Sequence, residues 1–146
     1  MRLTERTDIA VRILMHLAIL RGRKISIDDL VDNYIGHRSQ VIAAVQELRK
    51  AGMIASSTGR NGGIWLYKNP RDIVLYDVVQ IFETDFFLVK CLAGRNSCHL
   101  FRTCRFKAVL DDSLEGFFDP MKKTTISNLV EGMDIHSFEP QTAGKA

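Results

Sequence analysis

The chain has 146 residues, 46% of them apolar, and a formal net charge of +3, which is enough to bury one core and carry one long helical extension without help from disulfides. No apolar run approaches the roughly 20 residues that cross a bilayer, and the opening MRLTERTDIAVRILMHL is charged and helix-patterned without a small-residue cleavage site, so a cytoplasmic protein with no membrane partner is expected. The basic excess lies in residues 1–90, with 13 Lys and Arg against 10 Asp and Glu, whereas residues 91–146 carry seven of each; that suits contact with a polyanion without requiring it.

From residue 5 to about residue 20, Ile9, Ile13, Leu14, Leu17 and Ala18 recur at helical spacing, with Thr4 or Thr7 as the cap. After the basic turn Arg21-Gly22-Arg23-Lys24, Ser26 precedes Asp28 and Asp29, the pattern of a capped second helix running to about Tyr34. Gly36 punctuates the chain. Residues 39–50 then resume helical spacing, with Val41, Ile42, Val45 and Leu48 inward and Gln40, Ala43, Gln46, Glu47 and Arg49 outward. Two short helices joined by a glycine-containing turn make a helix-turn-helix.

Two β-prone runs, residues 53–57 and 64–67, flank the turn-rich GRNGG and predict a β-hairpin wing. Val74, Val78, Ile81 and Phe82 mark a further helix to about Thr84, after which residues 85–103 show no period. From Cys104 to about Phe118, the residues Phe106, Val109, Leu110, Leu114 and Phe117 form an apolar stripe wider than one small domain needs, as a homodimer contact would require. Pro120 is expected to stop that helix, and Thr124 or Thr125 to start a short last one through Val130. The fold class is therefore mainly α. A winged helix-turn-helix DNA-binding domain over residues 1–84 is followed by a loop over 85–104, a long dimerisation helix with a short final helix over 104–133, and a flexible tail over 134–146.

A helix-turn-helix followed by a wing places its second helix in the major groove of double-stranded DNA and its hairpin tip on the backbone or minor groove alongside. Ser39, Gln40 and Ala43 are then the base-facing residues, and Arg38, Arg49 and Lys50 the phosphate-holding ones. Arg60 leads the wing, with Asn61 and Gly62 at its tip, and suits a narrow, electronegative minor groove. A helix-turn-helix used only for protein contacts is disfavoured by the basic, glycine-rich wing. Trp65 reads as packing, and neither His16 nor His37 reads as a ligand.

In a reducing cytosol, three cysteines point to free thiols or metal ligands, and an odd number leaves one unpaired in any case. Cys91, Cys98 and Cys104 are spaced C-x6-C-x5-C, which fits neither the close pairs of structural zinc nor a redox pair. Open loops between thiolates suit a polynuclear iron-sulfur cluster, while ordinary buried cysteines are an equal reading of the spacing alone. Three cysteines leave one ligand position to His99, to another side chain or to a residue of a partner subunit. A thiol-based redox enzyme is the competing class, and neither paired cysteines nor an organised Ser-His-Asp set supports it. A metal-independent thiol sensor is a further alternative.

The opening MRLTERTDIAVRILMHLA, the wing GRNGGIWL, the passage VVQIFETDF, the three cysteines and the closing TTISNLV together resemble the NsrR-type nitric-oxide-sensing repressors, winged-helix relatives of IscR and RirA. The resemblance reaches to about residue 132. It implies a homodimeric repressor on a roughly palindromic operator, with one 4Fe-4S cluster per subunit, or 2Fe-2S as the alternative, that loses DNA affinity when nitric oxide attacks the cluster. It also implies Asp8 of the partner subunit as the fourth ligand, with Arg12 one helical turn on to steady that carboxylate. The chain departs from the pattern at Ile9, where an aromatic is usual, at Thr58, where an arginine is common, and in the divergent recognition helix QVIAAVQEL. Lys107 stands where IscR-like clusters use a histidine, which disfavours the IscR form. An iron-responsive, RirA-like repressor shares the wing and the cysteines.

Overall fold

The computed structural model describes residues 2–33, 37–89, 100, 102–134 and 136. Helix α1 (Glu5–Ile19) is the centre of the fold and packs against α3 (Arg38–Lys50), α4 (Leu75–Phe82), the short last helix α6 (Ile126–Leu129) and strand β2 (Gly63–Leu66). Its inner face carries Ile9, Ala10, Ile13, Leu14 and Leu17, each at most 2% exposed. Thr4 takes the N-cap position but its side chain caps no backbone N–H of the helix; its hydroxyl lies 3.2 Å from Thr7 Oγ1 and donates to Glu83.

Helix α2 (Ile27–Asn33) starts as its sequence requires. The Ser26 hydroxyl accepts the Asp29 N–H at 3.0 Å while the Asp29 carboxylate accepts the Ser26 N–H at 3.3 Å, so two otherwise orphaned donors are satisfied reciprocally. The helix is described as far as Asn33; the expected Tyr34 end and the Gly36 turn lie outside the described residues. Helix α3 begins one residue earlier than expected and buries Val41, Ala44, Val45 and Leu48. Ala44 thus takes an inner place that periodicity gave to Ile42, which is only half-buried.

Helix α3 terminates because Gly52 enters the left-handed region at φ +69°. Its N–H bonds to Arg49 O at 3.0 Å and that of Met53 to Leu48 O at 3.0 Å, and the buried Met53 and Leu48 side chains complete the motif. The chain turns directly into β1 (Ile54–Ser57), which pairs antiparallel with β2. Ile25 adds a third rung, exchanging both backbone bonds with Ile64 at 2.8 and 3.0 Å. The wing is thereby fixed to the start of α2 as well as to the end of α3. The fold is a winged helix-turn-helix, mainly helical, with one two-stranded hairpin among the described residues.

A 3-10 turn (Pro70–Asp72), capped by the Asn69 side chain, leads into α4. The long helix α5 spans Arg105–Lys123 and runs through Pro120, correcting the expectation of a stop there. Proline costs one ladder bond and roughly 3 kcal/mol in a helix interior. Here the stretch is anchored two residues earlier by Phe118, 6% exposed and in edge-to-face contact with Tyr76, Phe86 and Phe117. Ion pairs Lys122–Glu115 at 2.6 Å and Lys123–Asp119 at 2.5 Å span the proline. Helix α6 is opened by Thr125, as expected, in a reciprocal capping box with Asn128. It returns to the body of the protein: Ile126 is fully buried in the α1 core.

His16 faces that core at 2% exposure, and burial lowers its pKa below 6.5. A folded value below the unfolded one gives stability that is complete above the unfolded value and is lost as pH falls through the folded one. Thermal melts from about pH 8 to about pH 5 are expected to show stability falling once pH drops below about 6.5, and His16→Gln to flatten that part of the profile.

Candidate nucleic-acid interface and cluster ligands

The outer side of α3 and the wing form one continuous face. Ser39 is exposed, Ala43 half-buried, and Arg49 and Lys50 exposed at the helix end. Arg49 donates to Ser56 Oγ on β1 at 3.3 Å, and Lys50 pairs with Glu47 at 2.7 Å. Arg38 is exposed and ion-paired with Asp28, which ties the start of α3 to α2. Gln40, expected to face bases, is half-buried, and its amide donates to Glu5 Oε2 on α1 at 3.1 Å. In this conformation it therefore braces α3 against α1.

The wing tip is a turn closed by the Gly62 N–H on Gly59 O at 2.9 Å, with Arg60 and Asn61 exposed at its apex. A Cβ at Gly62 would stand 2.5 Å from Ser57 O and 2.9 Å from Gly59 O. Only glycine fits this turn. Trp65 is half-buried, as packing requires, and its ring carries the Lys24 ammonium 4.7 Å from the centroid. The same ammonium donates to Ser57 Oγ at 3.1 Å and to Asn61 O at 3.4 Å. Lys24 thus grips both strands and the tip of the wing from the turn before α2. Its role was not legible as more than a basic turn, because its partners lie 33 and 37 residues away for the two hydrogen bonds.

Of the cluster ligands, Cys104 is the N-cap of α5, half-buried, and its sulfur accepts the Lys107 N–H at 3.4 Å. Cys91, Cys98 and His99 lie outside the described residues. Asp8 faces outward from the first turn of α1 with its side chain 56% exposed, and Arg12 meets it with two contacts, at 3.1 and 3.2 Å. Among the described residues no three His, Cys, Asp or Glu side chains converge on a metal site. The donors nevertheless fit an iron-sulfur cluster in kind: a thiol at a helix start whose sulfur accepts the Lys107 N–H, and an accessible carboxylate already oriented by a guanidinium. Asp8 also borders an open groove of about 480 Å³ with Leu3, Val11, Leu75, Val79 and Met121.

Glu83, the residue that ends α4, was missed. Its Oε1 accepts from Thr4 N–H at 2.7 Å, from Thr4 Oγ1 at 3.0 Å and from Thr7 Oγ1. Desolvation pushes its pKa up, but the bonds from Thr7 and Thr4 outweigh this and hold it below the usual carboxylate value. One signal was available in sequence: a carboxylate at its own helix C-terminus opposes the dipole, so such a residue is better placed serving another element.

The α5 stripe leaves Phe106 62% and Val109 60% exposed, an apolar face of the kind that a partner covers.

The Rrf2 family profile, described as iron-dependent transcriptional regulator, matches residues 3–132. The HTH-type transcriptional regulator NsrR of Bacillus licheniformis is 34% identical over 136 residues, covering 92% of this chain and 95% of its own. Among solved structures, the oxidised form of Staphylococcus aureus CymR superposes with a TM-score of 0.71 at 20% identity, over 92% of this chain and 99% of its own. IscR of T. potens does so with a TM-score of 0.69 at 18% identity, over 90% and 88%. These two likenesses speak for the fold alone.

Proposed function

The chain is a transcriptional regulator of the Rrf2 family, and from that premise we propose that it is a cytoplasmic, homodimeric repressor that senses nitric oxide through an iron-sulfur cluster. The cluster is of the 4Fe-4S type, one per subunit, held by Cys91, Cys98 and Cys104 with Asp8 of the partner subunit. The observation that carries this reading is the outward-facing Asp8 carboxylate fixed by Arg12, in a chain whose NsrR relative matches it across nearly its whole length. No helix among the described residues is long and apolar enough to cross a membrane.

On DNA, Ser39 and Ala43 meet base edges in the major groove, and Gln40 joins them by exchanging Glu5 for a base. Arg38, Arg49 and Lys50 hold phosphates, and Arg60, Asn61 and Gly62 bring the wing tip to the adjacent groove. The exposed α5 stripe pairs two copies, so the recognition helices meet successive major grooves of a near-palindromic operator. A bound cluster would supply iron that reacts with nitric oxide. Held by Cys104 and by Asp8 of the partner subunit, it would tie α5 to the partner's α1, and the two recognition helices would keep their spacing only while both residues hold it.

The test is the visible spectrum and the iron and sulfide content of protein purified without oxygen, followed by nitric oxide titration with DNA affinity read in parallel. A band near about 400 nm with roughly four irons per chain, bleached as affinity falls, is the expected result. Absence of iron after reconstitution would sink the cluster reading and leave a cluster-free thiol regulator. The family's description as iron-dependent favours one second reading, an iron-responsive repressor; affinity lost on iron chelation but kept under nitric oxide would select it.

Lys24 gives a further expectation. Lys24→Met is expected to weaken operator binding about 3- to 10-fold, the scale of one exposed cation–π contact with its hydrogen bonds. Because its ammonium is directed at the wing, the slope of log affinity against log salt should stay unchanged, whereas loss of a phosphate contact would lower that slope by about one.

A further inference from the structure

We propose that Glu83 is a positioning residue: it caps α1 from across the fold and braces the turn that presents Asp8 to the partner subunit's cluster, an inference that rests on the ligand reading of Asp8 above. Helix α1 needs an external cap, because Thr4 sits at the N-cap without a side-chain bond to a backbone N–H of the helix. One Glu83 oxygen takes three donors there, the Thr4 N–H and the hydroxyls of Thr4 and Thr7. A carboxylate at a helix N-terminus both satisfies orphaned donors and complements the dipole.

The braced turn is the one that carries Asp8. Thr4 O accepts the N–H of Thr7 at 3.1 Å and that of Asp8 at 3.3 Å, so a fixed Thr4 fixes the Asp8 backbone, and Arg12 then orients the carboxylate. Thr7 is 2% exposed, so its hydroxyl is a buried donor whose partner is Glu83. In the chain, Glu83 precedes Cys91 by eight residues. Each brace therefore joins the segment that leads into one subunit's cluster ligands to the ligand that serves the other subunit's cluster.

The test uses the full-length chain with its cluster assembled without oxygen, in the parent and in Glu83→Gln, Thr7→Val, Asp8→Ala and the Glu83→Gln/Asp8→Ala double variant. Cluster loss to an iron chelator is followed at about 400 nm, and amide exchange over residues 4–8 is followed in the iron-free chain. Glu83→Gln and Thr7→Val are each expected to speed amide exchange in that turn and to speed cluster loss about 10-fold, the scale of outer-shell changes at metal sites. On the Asp8→Ala background, Glu83→Gln is expected to add less than about 2-fold, because the brace acts through Asp8. Unchanged exchange in both single variants overturns the brace. Equal acceleration of cluster loss with and without Asp8 overturns its action through that ligand. Cluster loss unaffected by Asp8→Ala overturns the ligand reading itself, while the exchange data still decide the cap.

Discussion

Gly62→Ala is expected to weaken binding to a duplex selected from a random-sequence pool by about 10- to 100-fold while changing the melting temperature by only a few degrees, about one or two kcal/mol at most. The added Cβ would stand 2.5 Å from Ser57 O, 2.9 Å from Gly59 O and 2.9 Å from the Thr58 carbonyl carbon. All three are backbone atoms, so no side chain can swing aside and the turn itself must open. Opening it breaks the Gly62 N–H bond to Gly59 O and re-aims Arg60 and Asn61, which are exposed at the tip and contribute nothing to the core. The loss therefore falls on DNA contact. Anisotropy titrations at several salt concentrations check this, and Arg60→Ala is the comparison. Removing the arginine alone should lower the salt slope by about one, whereas opening the turn should also displace Asn61 and the backbone beside it. Parent-like affinity of Gly62→Ala at every salt concentration would remove the wing from the interface.

Local signals carried most of the fold into the sequence. The Ser26–Asp29 box spans four residues, and the end of α3 rests on the adjacent Gly52 and Met53, so both are written in neighbouring letters. The hairpin was legible for the same reason. Pro120 misled because the rule about proline weighs one lost ladder bond, while the aromatic packing of Phe118 that holds the helix through it comes from residues far away in the chain. At the candidate site, Cys91, Cys98 and Cys104 stood out as residue types, whereas Asp8 entered only through resemblance. An acidic residue in the first turn of a helix is ordinary. Lys24 and Gln40 were opaque in a stricter sense, since each is defined by a contact 33 to 37 residues away, and no periodicity encodes such a pairing; Glu83, with partners 76 and 79 residues away, offered only its unfavourable place at a helix C-terminus.

The segment after α5 shows the same long-range dependence, and it predicts the largest loss of stability: Ile126→Ala is expected to cost about 2 to 5 kcal/mol. Ile126 is 0% exposed and belongs to the cluster built around Ile9, Ile13 and Leu17 of α1. Its N–H bonds to Ile73 O at 2.9 Å, and Leu75 N–H to Thr124 O at 2.8 Å, so residues 124–126 run as a short rung beside residues 73–75. The Thr125–Asn128 capping box holds the helix start and leaves little freedom for the site to collapse around a smaller side chain. At roughly 3 °C per kcal/mol for a chain of this size, the melting temperature should fall by about 6 to 15 °C. Val109→Ala is the contrast, because Val109 is 60% exposed on α5: its effect should depend on protein concentration if that face joins two copies, whereas the Ile126 effect should not. A loss under about 1 kcal/mol in Ile126→Ala would mean that the last helix rides on the domain without sealing it. A loss in the expected range makes the return of the chain after α5 part of the core centred on α1, so that the C-terminal end of α5 is held both by Phe118 before Pro120 and by Ile126 beyond it.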